Sequence, residues 1–238
     1  MESSPETLRL DRRRAAIVCA ARNLFVDQGY ERTTLAETVA RAGGSLATVY
    51  KLFRNKDGLL EAVILETVAS GEALVRDVEA SGLPPAETLR RLAEGLYRHF
   101  LAPDVIALVR IVIARSISEP QFARQFFERT ANRTRDAVAA LFARWQASGT
   151  AMNGSPTFLA EMFMGIFVSD LQTQAISHAA ASSQLPERLH ERTDFFMTAA
   201  GLSAACERRL GNSEWAPDPS VLPGWFTEAM AVPREEGF

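Results

Sequence analysis

Gly43-Gly44, set between two short stretches of helical apolar spacing, constrains the fold of this chain more than any other feature. Ahead of it, Thr34 and Glu37 form the pattern of a capping box, in which each side chain satisfies a free backbone donor of a helix's first turn. Leu35, Val39 and Ala42 follow at three- and four-residue spacing, one apolar face of a short helix. Glycine then takes the left-handed geometry that a helix C-cap requires. Ser45 caps a second helix at once, predicted over 46–51, with Val49 and Phe53 turned inward. Two short helices joined by a tight glycine turn make a helix-turn-helix, whose second helix enters the major groove of DNA.

The spacing is more specific than a generic turn of this kind. Ala42, Gly43, Ser45, Thr48, Tyr50, Phe53, Lys56 and Leu59 follow the order A-G-x-S-x-x-T-x-Y-x-x-F-x-x-K-x-x-L. Upstream, Ala21, Leu24, Phe25, Gly29, Tyr30, Thr33 and Thr34 complete an A-x-x-L-F-x-x-x-G-Y-x-x-T-T line. Over residues 11–65 the chain resembles the DNA-binding domain of the tetracycline-repressor (TetR) family of bacterial transcription regulators.

That resemblance implies roles for particular residues. Ser45, Leu46, Ala47 and Thr48 would face the base edges, with Thr48 as a hydrogen-bonding group and Leu46 and Ala47 as partners for thymine methyls. Tyr50, Lys51 and Lys56 would reach phosphates, as would Thr33 and Thr34 at the N-terminus of the first short helix. Many relatives carry Lys-Gly where this chain has Leu46-Ala47, so one phosphate-seeking cation is missing and the base-reading face is unusually apolar. Thr38 stands where an apolar β-branched residue is usual, and its hydroxyl can return to the carbonyl one turn back.

Charge fits this assignment only when the chain is divided. The net charge of −3 argues against nucleic acid, yet residues 1–58 hold ten Lys/Arg against seven Asp/Glu, a charge of +3. The remainder holds 16 against 22, a charge of −6. A basic head on an acidic body suits a protein whose head alone meets phosphate. Arg9, Arg12, Arg13 and Arg14 form a basic arm before the first helix, suited to the backbone or the minor groove.

The rest of the 238 residues is read as helix throughout, with no sustained strand alternation and no internal repeat. Nine helices are predicted, over 10–28, 34–42, 46–51, 57–80, 86–101, 103–117, 119–147, 156–181 and 186–210. The expected fold is all-α: an N-terminal three-helix helix-turn-helix domain over 9–57, then a larger helical ligand-binding and dimerisation domain over 58–211. Residues 212–238, with four prolines and two tryptophans, form a C-terminal tail.

The second domain carries a stripe of aromatics and methionines at helical spacing, read either as plain core or as the wall of an apolar cavity. The TetR resemblance favours a cavity that binds an inducer. A looser likeness of residues 108–129 to an AefR- or AcrR-like C-terminal domain points the same way. The ligand wall is assigned to His99, Leu108, Val112, Phe122, Phe126, Trp145, Met162, Phe163 and Ile166, with Arg110, Arg115, Gln125 and Asn132 as polar groups that could orient the ligand. The helices over 156–181 and 186–210 are expected to form a homodimer, through faces that include Met164, Val168, Leu171, Ile176, Phe195 and Phe196.

No apolar run approaches the roughly 20 residues of a membrane helix, and the N-terminus lacks a signal-peptide core, so a cytoplasmic location is expected. Cys19 and Cys206 are read as reduced core thiols. His99, His178 and His190 are not at ligand spacing, no phosphate loop follows a strand, and no nucleophile elbow occurs, so neither an enzyme nor a cofactor or metal is expected. The sequence therefore predicts a dimeric regulator that binds double-stranded operator DNA and releases it on binding a small molecule. Two other readings remain open: a helical small-molecule-binding protein or enzyme with a vestigial helix-turn-helix, and a sequence-independent DNA-coating protein.

Overall fold

The structure is a computed structural model that describes residues 5–126, 130, 132–177 and 185–202. Among them the chain forms α1 (Pro5–Arg32), α2 (Leu35–Ala42), α3 (Leu46–Phe53), α4 (Lys56–Ala80), α5 (Pro85–Phe100), α6 (Pro103–Ser118), α7 (Pro120–Phe126), α8 (Arg133–Ala147), α9 (Pro156–Ser177) and α10 (Leu185–Ala199), with no strand. The all-α class read from the sequence is the class observed. Within the predicted helix over 119–147, the described residues form α7 and α8.

Helix α1 starts five residues earlier than predicted, at a proline tolerated in a first turn. The four arginines of the predicted arm are therefore helical, and two already have partners within the head. Arg13 Nη1 donates to the Ala42 carbonyl at 3.4 Å, and the Arg14 guanidinium lies 5.7 Å from the Phe53 ring centroid. Gly43 follows α2 with φ 74° and ψ 163°, which a side chain would disfavour. Arg13 reaches across this turn and ties α1 to the end of α2.

The core of the head does not stop at residue 57. Ile17, Ala21, Phe25 and Tyr30 of α1 and Val49 and Phe53 of α3 pack with Leu59, Leu60 and Val63 of α4, and also with Leu108 and Val112 of α6. Thr38 is buried in this head, and its hydroxyl donates to the Thr34 carbonyl at 3.0 Å. A second core holds Leu89, Leu92 and Leu96 of α5, Leu141 and Phe142 of α8, Phe163 and Phe167 of α9 and Phe196 of α10. Helix α4 serves both, its first half in the head and Val75 in the body. At ~1.5 Å per residue its 25 residues span about 37 Å. Bidentate pairs of Arg133 with Glu72 and of Arg144 with Glu79 fasten α8 along the same helix.

Cys19 is exposed, so its reading as a core thiol was wrong; it falls on the solvent side of α1, beside the buried Val18 and Ala20. Cys206, His178, the tail over 212–238 and the ends of both predicted dimer helices lie outside the described residues.

Candidate nucleic-acid interface

The turn between α2 and α3 is built by its caps. Thr34 accepts from the Glu37 amide at 3.1 Å while Glu37 accepts from the Thr34 amide at 2.9 Å, so the capping box is closed in both directions. These bonds, the backbone one first, hold the Glu37 carboxyl below the usual carboxylate range. Ser45 accepts from the Thr48 amide at 3.3 Å, and its hydroxyl lies 3.0 Å from that of Thr48.

With Val49 and Phe53 turned into the core, α3 presents Leu46, Ala47, Tyr50 and Lys51 to solvent. Leu46 is 41% exposed and Tyr50 53%, large values for side chains of their size. Exposed there, these side chains forgo the gain of burial in the monomer and are available for a contact. Thr48 is half-buried, its hydroxyl already shared with the cap, so a base contact must exchange that bond.

Two predicted phosphate contacts look different in three dimensions. Thr33 is 1% exposed and its hydroxyl donates to the Gly29 carbonyl at 2.8 Å. It belongs to the core beneath the helix terminus, and the reading of Thr33 as a phosphate ligand is corrected. Thr34 is exposed, but its amide and hydroxyl both donate to Glu37. Lys56 Nζ is folded back, donating to the Glu31 carbonyl at 3.2 Å and lying 4.2 Å from the Tyr30 ring centroid. Its half-exposed stem leaves it able to swing outward.

The predicted ligand wall is not brought together. Leu108 and Val112 face the head core, and Phe122 and Phe126 stack at 6.0 Å against the same cluster. Phe163 is fully buried among Phe142, Phe167 and Phe196, a packed ring cluster with no space to line. Trp145 leans on Phe142 at the edge of that core, 5.6 Å between centroids. Met162 is 54% exposed, on the outside of α9. His99 sits beside Gly71 and Thr134, near α4 and α8, where burial first of all pushes its imidazole down and favours the neutral ring. Helical spacing marks these residues as apolar; it does not say which of several packed faces each one joins.

Arg110 and Arg115, both read as ligand-orienting groups, are engaged elsewhere. Arg110 donates to the Ala175 and Gln174 carbonyls at 3.0 and 2.9 Å, closing the last turn of α9. Arg115 reaches the head. Its guanidinium pairs with Asp57 at 2.7 Å and Glu119 at 2.9 Å, and stacks 4.3 Å from the Tyr30 centroid and 5.0 Å from that of Phe122. The Tyr30 hydroxyl donates to the same Asp57 carboxylate. Burial, then that bond, pushes the Tyr30 phenol well above its ordinary value, so it stays a donor. Asn132 flanks the start of α8 without a side-chain cap bond.

An open groove lies between α9, α10 and the loop before α9, with a volume of about 570 Å³, and of the predicted wall only Met162 and Ile166 line it. Phe158, Met162 and Phe195 line it, and Phe195 is 77% exposed. Of the predicted dimer face, Phe195 and Ile176 point outward, whereas Met164, Leu171 and Phe196 are buried in the monomer core. No described helix is long and apolar enough to cross a membrane, and no described group of three His, Cys, Asp or Glu is placed to hold a metal ion.

A capped turn, a second helix with an exposed apolar and phenolic face, and a lysine at the next helix start define a helix-turn-helix DNA-binding protein. Residues 17–63 match the family model "Bacterial regulatory proteins, tetR family", and residues 87–199 match "AefR-like transcriptional repressor, C-terminal domain". With both its halves matched to domains of one family, the chain belongs to the TetR family of transcriptional regulators. The HTH-type transcriptional regulator Mb2274c of Mycobacterium bovis is 27% identical, over 73% of this chain and 90% of its own length. The HTH-type transcriptional activator FasR of Mycolicibacterium smegmatis is 31% identical, over 56% of this chain; the chain spans 60% of FasR. A TetR-family regulator from Mesorhizobium loti shares the fold, with a TM-score of 0.70 and 24% identity, over 80% of this chain and 97% of that one.

Proposed function

We propose that the protein binds a short palindromic operator as a homodimer, represses transcription from it in the cytoplasm, and releases the DNA when a small, largely apolar molecule enters its C-terminal domain. The observation that carries the reading is the face of α3. Leu46, Ala47 and Tyr50 are held in water by a turn whose caps are all satisfied, so their exposure is built in. Tyr50, Lys51 and Lys56 supply phosphate contacts, joined by the exposed Thr34 once a phosphate displaces Glu37. Ser45, Leu46, Ala47 and Thr48 face the bases.

Helix α9 supports the dimer. It is apolar on nearly every side, with the buried Phe163, Ile166 and Phe167 on one face and Phe158, Met162 and Ile176 exposed on another. A helix apolar all round is normally buried all round. Phe158, Met162, Gly165, Ser169 and Ile176 form an exposed seam that a second α9 can cover, with Phe195 of α10 beside it. A ligand would have to part the packed rings of the body core beside Tyr97, whose hydroxyl is buried without a partner and would anchor a polar group. Repression follows the description of the matched C-terminal domain, although FasR is named an activator.

The test is selection of duplexes from a random library, followed by competition between a selected and a random duplex at fixed salt. A clear preference is expected. Equal binding would favour a coating protein held by charge alone, and no binding would favour a helical protein whose turn is vestigial. Tyr50→Ala is expected to abolish detectable gel-shift binding while the dimer stays folded, since a hydrogen bond to a charged group is worth about 1.5–3 kcal/mol and is lost from both heads. Wild-type affinity would remove Tyr50 from the interface. Leu46→Lys is expected to raise affinity for all duplexes and narrow the gap between selected and random ones, because it adds phosphate attraction and removes an apolar base contact. A wider gap would show that Leu46 does not read bases.

A further inference from the structure

We infer that Arg115 acts as a removable electrostatic mask: by holding Asp57 it keeps a carboxylate from neutralising Lys56, and withdrawal of α6 would unmask that carboxylate at the DNA-facing surface. The inference rests on the reading of Lys56 as a phosphate contact. Lys56 and Asp57 meet on one ring, Lys56 Nζ 4.2 Å from the Tyr30 centroid and Asp57 on the Tyr30 hydroxyl, so an unpaired carboxylate there lies near the cation meant for phosphate. Asp57 is not left unpaired. It takes the Arg115 guanidinium at 2.7 Å and the Tyr30 hydroxyl, and its side chain keeps 45% exposure. Arg115, by contrast, is only 11% exposed, packed on the Tyr30 and Phe122 rings, with Nε buried and unpartnered.

These values separate the two partners. An arginine so enclosed, reaching out of α6 to a half-exposed carboxylate on α4, is placed by the body of the protein and acts on the head. Glu119, also 2.9 Å from the same Nη2 and on the α6 side, is a waiting alternative partner. A shift of α6 that breaks the contact with Asp57 also lifts Arg115 off the Tyr30 ring, and leaves it paired with Glu119 and against Phe122. Asp57 is then free to pair with Lys56 or to repel phosphate. The switch needs no melting of the head. Arg22 of α1, paired with Asp104 at 2.6 Å, ties the other end of α6 to the head, so motion of α6 is confined to tilting about that point.

The experiment measures binding of the full chain to its selected duplex from about 50 to 200 mM salt, where each phosphate contact contributes about 0.9 to the slope of log K against log salt. Arg115→Gln is expected to lower affinity and flatten the slope by about 0.9 per head, matching Lys56→Gln. Asp57→Asn alone is expected to keep the wild-type slope, and the double change Arg115→Gln with Asp57→Asn to restore it. Only removal of the unmasked charge can produce that rescue; a packing defect at Arg115 would persist in the double variant. The slope does not depend on the fraction of active protein, so partial unfolding does not mimic it. A flattened slope in Asp57→Asn, or no rescue in the double variant, overturns the inference. Should the wild type select no duplex, the DNA-binding proposal itself fails.

Discussion

Replacing Phe195 by Asp is expected to give a folded monomer that no longer holds a palindromic duplex. Phe195 is 77% exposed on α10, so the change removes little from the monomer core. In a dimer built on the α9 seam, however, it would bury a charge in an apolar groove lined by Phe158 and Met162. Sedimentation should show the monomer, and far-UV circular dichroism the unchanged helix content. Two linked heads bind one duplex far more tightly than either alone, by about 100-fold or more when the geometry allows both to dock. Affinity for the selected duplex should therefore fall by at least that factor. A variant that remains dimeric would place the interface on another face and leave the groove free.

Gly58→Ala is expected to damage the head more than any other small-residue change near the interface. Gly58 sits in the first turn of α4, its amide donating to the Asn55 cap at 2.8 Å. A Cβ at this position would lie 2.0 Å from the Phe53 carbonyl oxygen. That atom is backbone and cannot rotate aside, so the α3–α4 connection must open and carry Lys56 with it. A shift forced on a well-packed turn costs about 3 kcal/mol, visible as a fall in the thermal midpoint. DNA binding should weaken further than stability alone accounts for, because α3 loses its orientation. An unchanged midpoint would mean that the turn between Arg54 and Asn55 is looser than its bonds suggest.

The two outcomes bear on how much was legible beforehand. The capping box at Thr34, the stop at Gly43, the cap at Ser45 and the inward turn of Val49 and Phe53 were all readable. Each depends on residues within about four positions, where backbone hydrogen bonding is set by local side chains. The assignment of Thr38 to the core held for the same reason. Thr33 was misread because its neighbour Thr34 is a cap. Only the fold shows that one threonine faces out and the other donates inward to Gly29.

The ligand wall failed on a different ground. Leu108, Phe122, Phe163 and Met162 share helical spacing but join the head core, its edge, the body core and the outer groove respectively. Periodicity specifies a face of a helix and is blind to what that face meets. Arg115 is the sharpest case. On the sequence it is one cation among many on a helix of the second domain. Packed between the rings of Tyr30 and Phe122, with Asp57 at 2.7 Å, it is a link between body and head.

By itself, then, the sequence determined that the chain is helical, that it carries a DNA-reading turn at residues 33–57, and to which family it belongs. Those properties come from short-range capping and spacing. The tertiary structure decided which apolar faces close the core, which remain open at α9 and α10, and which charges couple α6 to α4. These depend on contacts between residues tens of positions apart, whose partners are chosen by shape and burial and leave no mark in local spacing.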